Sequence, residues 1–292
     1  MDDVLTNLLS PAVLFFGIGL LAVSMRSDLD LPSPLPKVLS LFLLLAIGFK
    51  GGFGLRASEL GGAQLLTLGA AVLMACVTPV ASYYLLRKRI GSADAAAIAA
   101  CYGSISAVTF ITAAAFLEKL GVGYGGHMVA AMALMESPAI VIGVLLYRIH
   151  GAKAGESIDW GYLLREAFFN GPVFILVGAM LVGLVANTEA SGKLMEPIDM
   201  AFRLALVLFL LDMGIVAGRQ LQALRRTGAI LGVYSVLVPV GQGLVGLGFG
   251  RMVGASAGDA LLLAILCGSA SYIAVPAAIR LAIPQANPSL YV

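Results

Sequence analysis

Cys101 to Phe110 reads CYGSISAVTF, and Leu266 to Val275 reads LCGSASYIAV. Both stretches hold a Gly-Ser-x-Ser tetrapeptide inside an apolar run, Gly103-Ser104-Ile105-Ser106 and Gly268-Ser269-Ala270-Ser271. The match continues outward on the N-terminal side. Asp94 before an alanine-rich run pairs with Asp259, Pro79-Val80 pairs with Pro239-Val240, and AIGFKGG at 46–52 pairs with DMGIVAG at 212–218. Similarity in this order between distant parts of one chain marks an internal repeat.

The repeats are made of membrane spans. Of 292 residues, 60% are hydrophobic and 12% charged, and the mean hydropathy is +0.99, far from the roughly 25% charged residues usual in a soluble domain. Apolar runs bounded by charged or Gly/Pro-rich turns predict nine spans near 8–25, 36–55, 62–86, 93–117, 126–148, 166–187, 199–218, 228–250 and 257–281. Spans two to four then correspond to spans seven to nine. Each repeat is therefore five spans long, and an odd number inverts the second copy relative to the first. The expected fold is an all-α polytopic membrane protein of two inverted five-helix repeats with two broken, crossing helices. The first repeat occupies 1–150, a short cytosolic linker 151–164, and the second repeat 165–292. The fifth span has no counterpart before Val292, so the symmetry predicts a missing tenth span, through truncation or, as the alternative, an incomplete second repeat.

Charge sets orientation and excludes some functions. Placing the N-terminus outside puts most Lys and Arg, including Arg87, Lys88, Arg89, Arg148 and Arg165, on inner loops, as the positive-inside rule requires. A net charge of +2 with no longer basic run than Arg87-Lys88-Arg89 argues against nucleic acid as a partner. Cys76, Cys101 and Cys267 lie in apolar segments without metal-ligand spacing. No nucleophile, His and acid gather at mid-depth, so the chain is expected to be no enzyme and to carry no cofactor.

The chemistry is expected at the two tetrapeptides. Glycine weakens a helix, serine hydroxyls compete for its backbone groups, and Pro276 follows the second copy. An interrupted helix restarts with free N–H groups and a partial positive charge that suit an anion. Two inverted copies would present such ends to one pocket. Close packing of small residues is the competing explanation. Glu136, in MESPAIV, and Asp212 are the carboxylates deepest in apolar segments. Either could ligate sodium, with Ser104, Ser106, Thr109, Ser269 and Ser271 supplying further oxygens. Proton carriage is the alternative for Glu136, and a structural hydrogen bond for Asp212. Asn170 and Gln242 are candidates to line a polar path, and His127 and His150 sit at span ends.

GSISAVTFITAAA, MESPAIVIG and GSASYIAVPAAIRLAIPQANPS together resemble the sodium-dependent bicarbonate transporter family of cyanobacteria, from about Leu35 to the C-terminus. The resemblance implies ten spans in two inverted repeats, arranged as gate and core domains, a homotrimer in a bacterial inner membrane, and sodium-coupled bicarbonate uptake. By motif it puts bicarbonate at Gly103, Ser104, Ile105, Ser106, Gly268, Ser269, Ala270 and Ser271. Sodium is placed near Glu136, Ser106 and Thr109, where the family usually has Asp in place of Glu136. The family's long cytosolic segment and its PII-like trimeric regulator have no room in 151–164, so that partner does not carry over on the same footing. Symport of another small anion with sodium or protons keeps the same architecture. A membrane anion sensor without flux is the reading from another class.

Overall fold

The structure, a computed structural model, describes residues 11–32, 34–57, 61–151, 159–224, 229–272 and 274–291. Residues 152–158, half of the expected linker, lie outside them, as do Arg225 and Arg226. Among the described residues the chain is helical without strands. In order the helices are α1 (Pro11–Ser24), α2 (Pro34–Ala57), α3 (Gly62–Ile90), α4 (Ser92–Gly103), α5 (Ala107–Lys119) and α6 (His127–His150). They continue as α7 (Trp160–Phe169), α8 (Gly171–Val185), α9 (Thr188–Leu224), α10 (Ala229–Met252), α11 (Ala257–Cys267), α12 (Ala274–Ala282) and α13 (Pro288–Tyr291).

Among the described residues six helical stretches are long and apolar enough to cross a membrane, the broken Ser92–Lys119 among them, and the bent pair α7 and α8 makes a seventh if it is one span. The chain is a multi-pass membrane protein. At the first expected span, α1 is a shorter apolar helix of 14 residues, and the ninth divides into α11 and α12. The sixth bends by 49° at Asn170. Asn170 is buried there and its side-chain oxygen accepts the Val173 N–H at 2.9 Å. It caps α8, which accounts for a polar residue at this depth.

The chain forms two compact units, and neither coincides with one half of the sequence. One comprises residues 1–46 and 186–233, the other 47–185 and 234–292. In the first unit α1 lies directly along α9. Gly19 meets the Leu211 carbonyl and Gly214 meets the Phe16 carbonyl, both too close for any side chain. This is how small residues let membrane helices pack without a hydrophobic driving force.

The second unit is built around α4. Ala95, Ala96, Ala97, Ala99 and Ala100 are all fully buried, and α4 is enclosed chiefly by α3 and α6. An alanine helix has no large side chain to hold neighbours away, so it can be covered on every side. At one edge of this unit the Arg87 guanidinium lies 4.5 Å from the Tyr84 ring centre and Arg148 lies 5.9 Å from that of Trp160. Such pairs of cation and aromatic ring suit the membrane interface.

Candidate functional site

Both tetrapeptides interrupt helices, and the interruptions touch. The first break begins where α4 ends at Gly103 and closes at Ser106, whose side chain accepts the Thr109 N–H at 3.1 Å and caps α5. The second begins after Cys267. There Ser271 Oγ accepts the Val275 N–H at 3.3 Å, at the start of α12.

The sequence explains where each helix stops. A Cβ on Gly103 would run into the ring of Pro79, and one on Gly268 would lie 2.7 Å from the Pro239 carbonyl oxygen. The prolines that matched in sequence therefore press on the glycines that matched. Only glycine tolerates that approach, and the serines that follow offer the freed backbone alternative hydrogen bonds.

Backbone groups released at one break are taken up by the other. The Ser271 N–H donates to the Cys101 carbonyl at 2.9 Å. The corresponding link would join the Ser106 N–H to the Leu266 carbonyl. Instead Ser269 stands between them: its hydroxyl oxygen accepts from Ser106 N–H at 3.0 Å, and the same hydroxyl donates to Leu266 at 3.1 Å. Ser104 turns elsewhere, donating to the backbone carbonyl of Glu136 at 3.3 Å.

These bonds sort the four serines by what remains available. Ser104 and Ser269 have spent their hydroxyl protons on carbonyls. Ser106 and Ser271 act as acceptors, so each keeps an O–H able to donate. All four are buried. At the start of α5, the amides of Ala107 and Val108 donate no hydrogen bond among the described residues. Free amides at a helix start and hydroxyl protons are the donors an oxyanion needs.

Glu136 supplies the opposite character. It lies on α6 two residues before Pro138 and is only 7% exposed. Among the described residues no donor or cation reaches its carboxyl group. A buried carboxylate left alone is costly, and binding a cation or a proton relieves that cost.

Of the residues singled out from sequence, Gly103, Ser104, Ile105, Ser106, Gly268, Ser269, Ala270, Ser271 and Glu136 all belong to the unit that holds the breaks. Thr109 is there too, but it is exposed and engages Ser106 through its backbone. Asp212 is buried in the other unit, on α9, two turns before Arg219, which pairs with Asp30 at 3.4 Å. Gln242 lies on α10 next to Gly243, and its side-chain oxygen is buried without a hydrogen-bond partner among the described residues. His127 is buried with its ring nitrogen 3.9 Å from Asp259. Sequence reasoning missed the role of Ser269 as a relay and the contacts of Pro79 and Pro239, although both prolines had marked the repeat.

A family model described as the Na+-dependent bicarbonate transporter superfamily matches residues 11–292. No curated protein matches the chain.

Proposed function

Since the chain belongs to the Na+-dependent bicarbonate transporter superfamily, we propose that it is a secondary transporter that carries bicarbonate with sodium and holds the anion between the two helix breaks. The observation that carries this reading is the joining of the breaks by hydrogen bonds between their own residues, with Ser104 bonded to the backbone of Glu136, whose carboxyl group meets no donor or cation among the described residues. On this reading the second half-helices, α5 and α12, belong to two inverted repeats and face the anion from opposite sides.

The donors for bicarbonate are the hydroxyls of Ser106 and Ser271 and the amides of Ala107 and Val108. None requires a fixed positive charge. That suits a site which must release its anion, because an Arg or Lys at mid-membrane would hold it too well and would itself be expensive there. Sodium binds at the Glu136 carboxylate, and the bond from Ser104 to the Glu136 carbonyl links the cation position to the first break. Occupation of either position then favours occupation of the other, which is what coupling requires. The breaks move as one element, because they are hydrogen-bonded to each other. The orientation with the N-terminus outside and the homotrimer belong to the same reading, the first from the loop charges and the second from the family likeness.

A proton at Glu136 is the second reading, favoured by the same unpartnered carboxyl. Purified protein in proteoliposomes, given labelled bicarbonate and labelled sodium together, separates the two. Sodium entering in fixed ratio with bicarbonate supports sodium coupling. Uptake driven by a pH gradient and indifferent to sodium replaces it with proton coupling, and uptake of a different anion alone overturns the substrate.

A further inference from the structure

Asp94 and Asp259 occupy matching places, each the third residue of the first half of a broken span. An acidic residue there is favoured by the helix dipole, and usually it stays within its own helix cap. Here both reach across to the other broken span. Asp94 Oδ1 accepts the N–H of Asn287, in the segment that follows α12 and directly before α13, at 2.7 Å. Asp259 Oδ1 accepts the N–H of Gly125, beyond α5, also at 2.7 Å. Each carboxylate thus ties the start of one broken span to the tail of the other.

The bonds are local necessities as well as a matching pair. Gly258 precedes Asp259, and a Cβ there would collide with the Gly123 carbonyl, so the loop after α5 comes close enough to be clasped only because this residue is glycine. The second oxygen of Asp259 is held by the Ser256 hydroxyl at 2.7 Å, which orients the carboxylate. The two broken spans are therefore joined at three levels: a clasp at each end and the contacts between the breaks in the middle.

We propose that Asp94 and Asp259 are positioning residues that fix α5 and α12 along their axes and so keep the donors at the two breaks aimed at one anion. The half-helices are short, 13 and 9 residues. A slip of a single residue shifts a helix by about 1.5 Å, enough to misalign its free amides. Asp259 also stands 3.9 Å from the His127 ring nitrogen, but in both clasps the bond across is a backbone N–H donated to one carboxylate oxygen, so an amide side chain that keeps the oxygen keeps the clasp. The positioning role rests on the anion site proposed above, whereas the clasp itself does not.

The test therefore uses two readouts on D94A, D94N, D259A and D259N in lipid nanodiscs and proteoliposomes. Deuterium exchange over 101–110 and 268–276 without added anion reports the clasp directly. It is expected to speed up about tenfold in the Ala variants and to stay within about threefold of wild type in the Asn variants. Half-saturation for bicarbonate is expected to rise by a similar factor in the Ala variants and to recover with Asn. Unchanged exchange in both Ala variants overturns the clasp, as does Asn failing as badly as Ala, which would mean that the charge matters. Should one Ala variant fail to fold, the other remains, because the two clasps lie at opposite ends of the pair. Wild-type protein that moves no bicarbonate defeats the substrate reading and leaves the exchange result standing.

Discussion

At the second break an amide meets the facing carbonyl directly, Ser271 to Cys101, whereas at the first break the same connection passes through a side chain, Ser106 to Ser269 to Leu266. The difference shows that a tetrapeptide repeated in sequence need not repeat its bonds. With Ser269 committed to the relay, its counterpart Ser104 is left to bond with Glu136. Among the described residues, an unpartnered buried carboxyl accompanies the first break alone. On the proposed reading, the donors at Ser106 and Ser271 serve the anion, and the carboxyl at the first break is the cation position.

The largest effect is expected where the two breaks differ most. Glu136→Gln keeps the shape and removes the charge, and it should weaken sodium dependence of uptake roughly 100-fold, about 2.8 kcal/mol. Sodium dependence intact in that variant would separate the first break from the coupling ion.

The relay comes next. Ser269→Ala leaves the Ser106 N–H without its acceptor, and a buried donor so exposed costs about 1–3 kcal/mol. Ser104→Ala removes a single weaker bond and should cost about 1 kcal/mol or less. Thermal unfolding of the two variants in the same detergent compares them, and equal losses would contradict the distinction between direct and relayed links.

Ser106→Ala and Ser271→Ala probe what the breaks share. Each should raise the half-saturating bicarbonate concentration about tenfold, roughly 1.4 kcal/mol, through loss of one hydroxyl donor. If both leave transport kinetics as they were, the outer serines cap helices and do nothing more. The smallest change is expected from Thr109→Val, within about twofold in sodium affinity, since its tie to Ser106 runs through the backbone. A loss comparable to that of Glu136→Gln would make the Thr109 hydroxyl a sodium ligand.

Much of this arrangement is legible in the chain itself. Nine apolar runs and a tetrapeptide recurring with the same flanking Asp and Pro are one-dimensional signals, and helix formation and helix interruption are local events that such signals report. Gly103, Gly268 and the serines after them stand where the helices stop. What escapes the sequence is which released group meets which. Asp94 and Asp259 serve as register marks on paper and as cross-links in space, because the contact is made to loops near Gly125 and Asn287 that carry no motif. Asp212 shows the converse. A carboxylate deep in an apolar run looks like Glu136 in sequence, yet it falls in a different compact unit, and hydropathy holds no information about which helices share a unit.

The account is tested most directly by cryo-electron microscopy of the full chain in nanodiscs with sodium and bicarbonate. It predicts an anion within hydrogen-bond distance of both the Ser106 and Ser271 hydroxyls, with sodium at the Glu136 carboxylate. An anion bound elsewhere, with the Ser106 and Ser271 hydroxyls facing only protein, would contradict it.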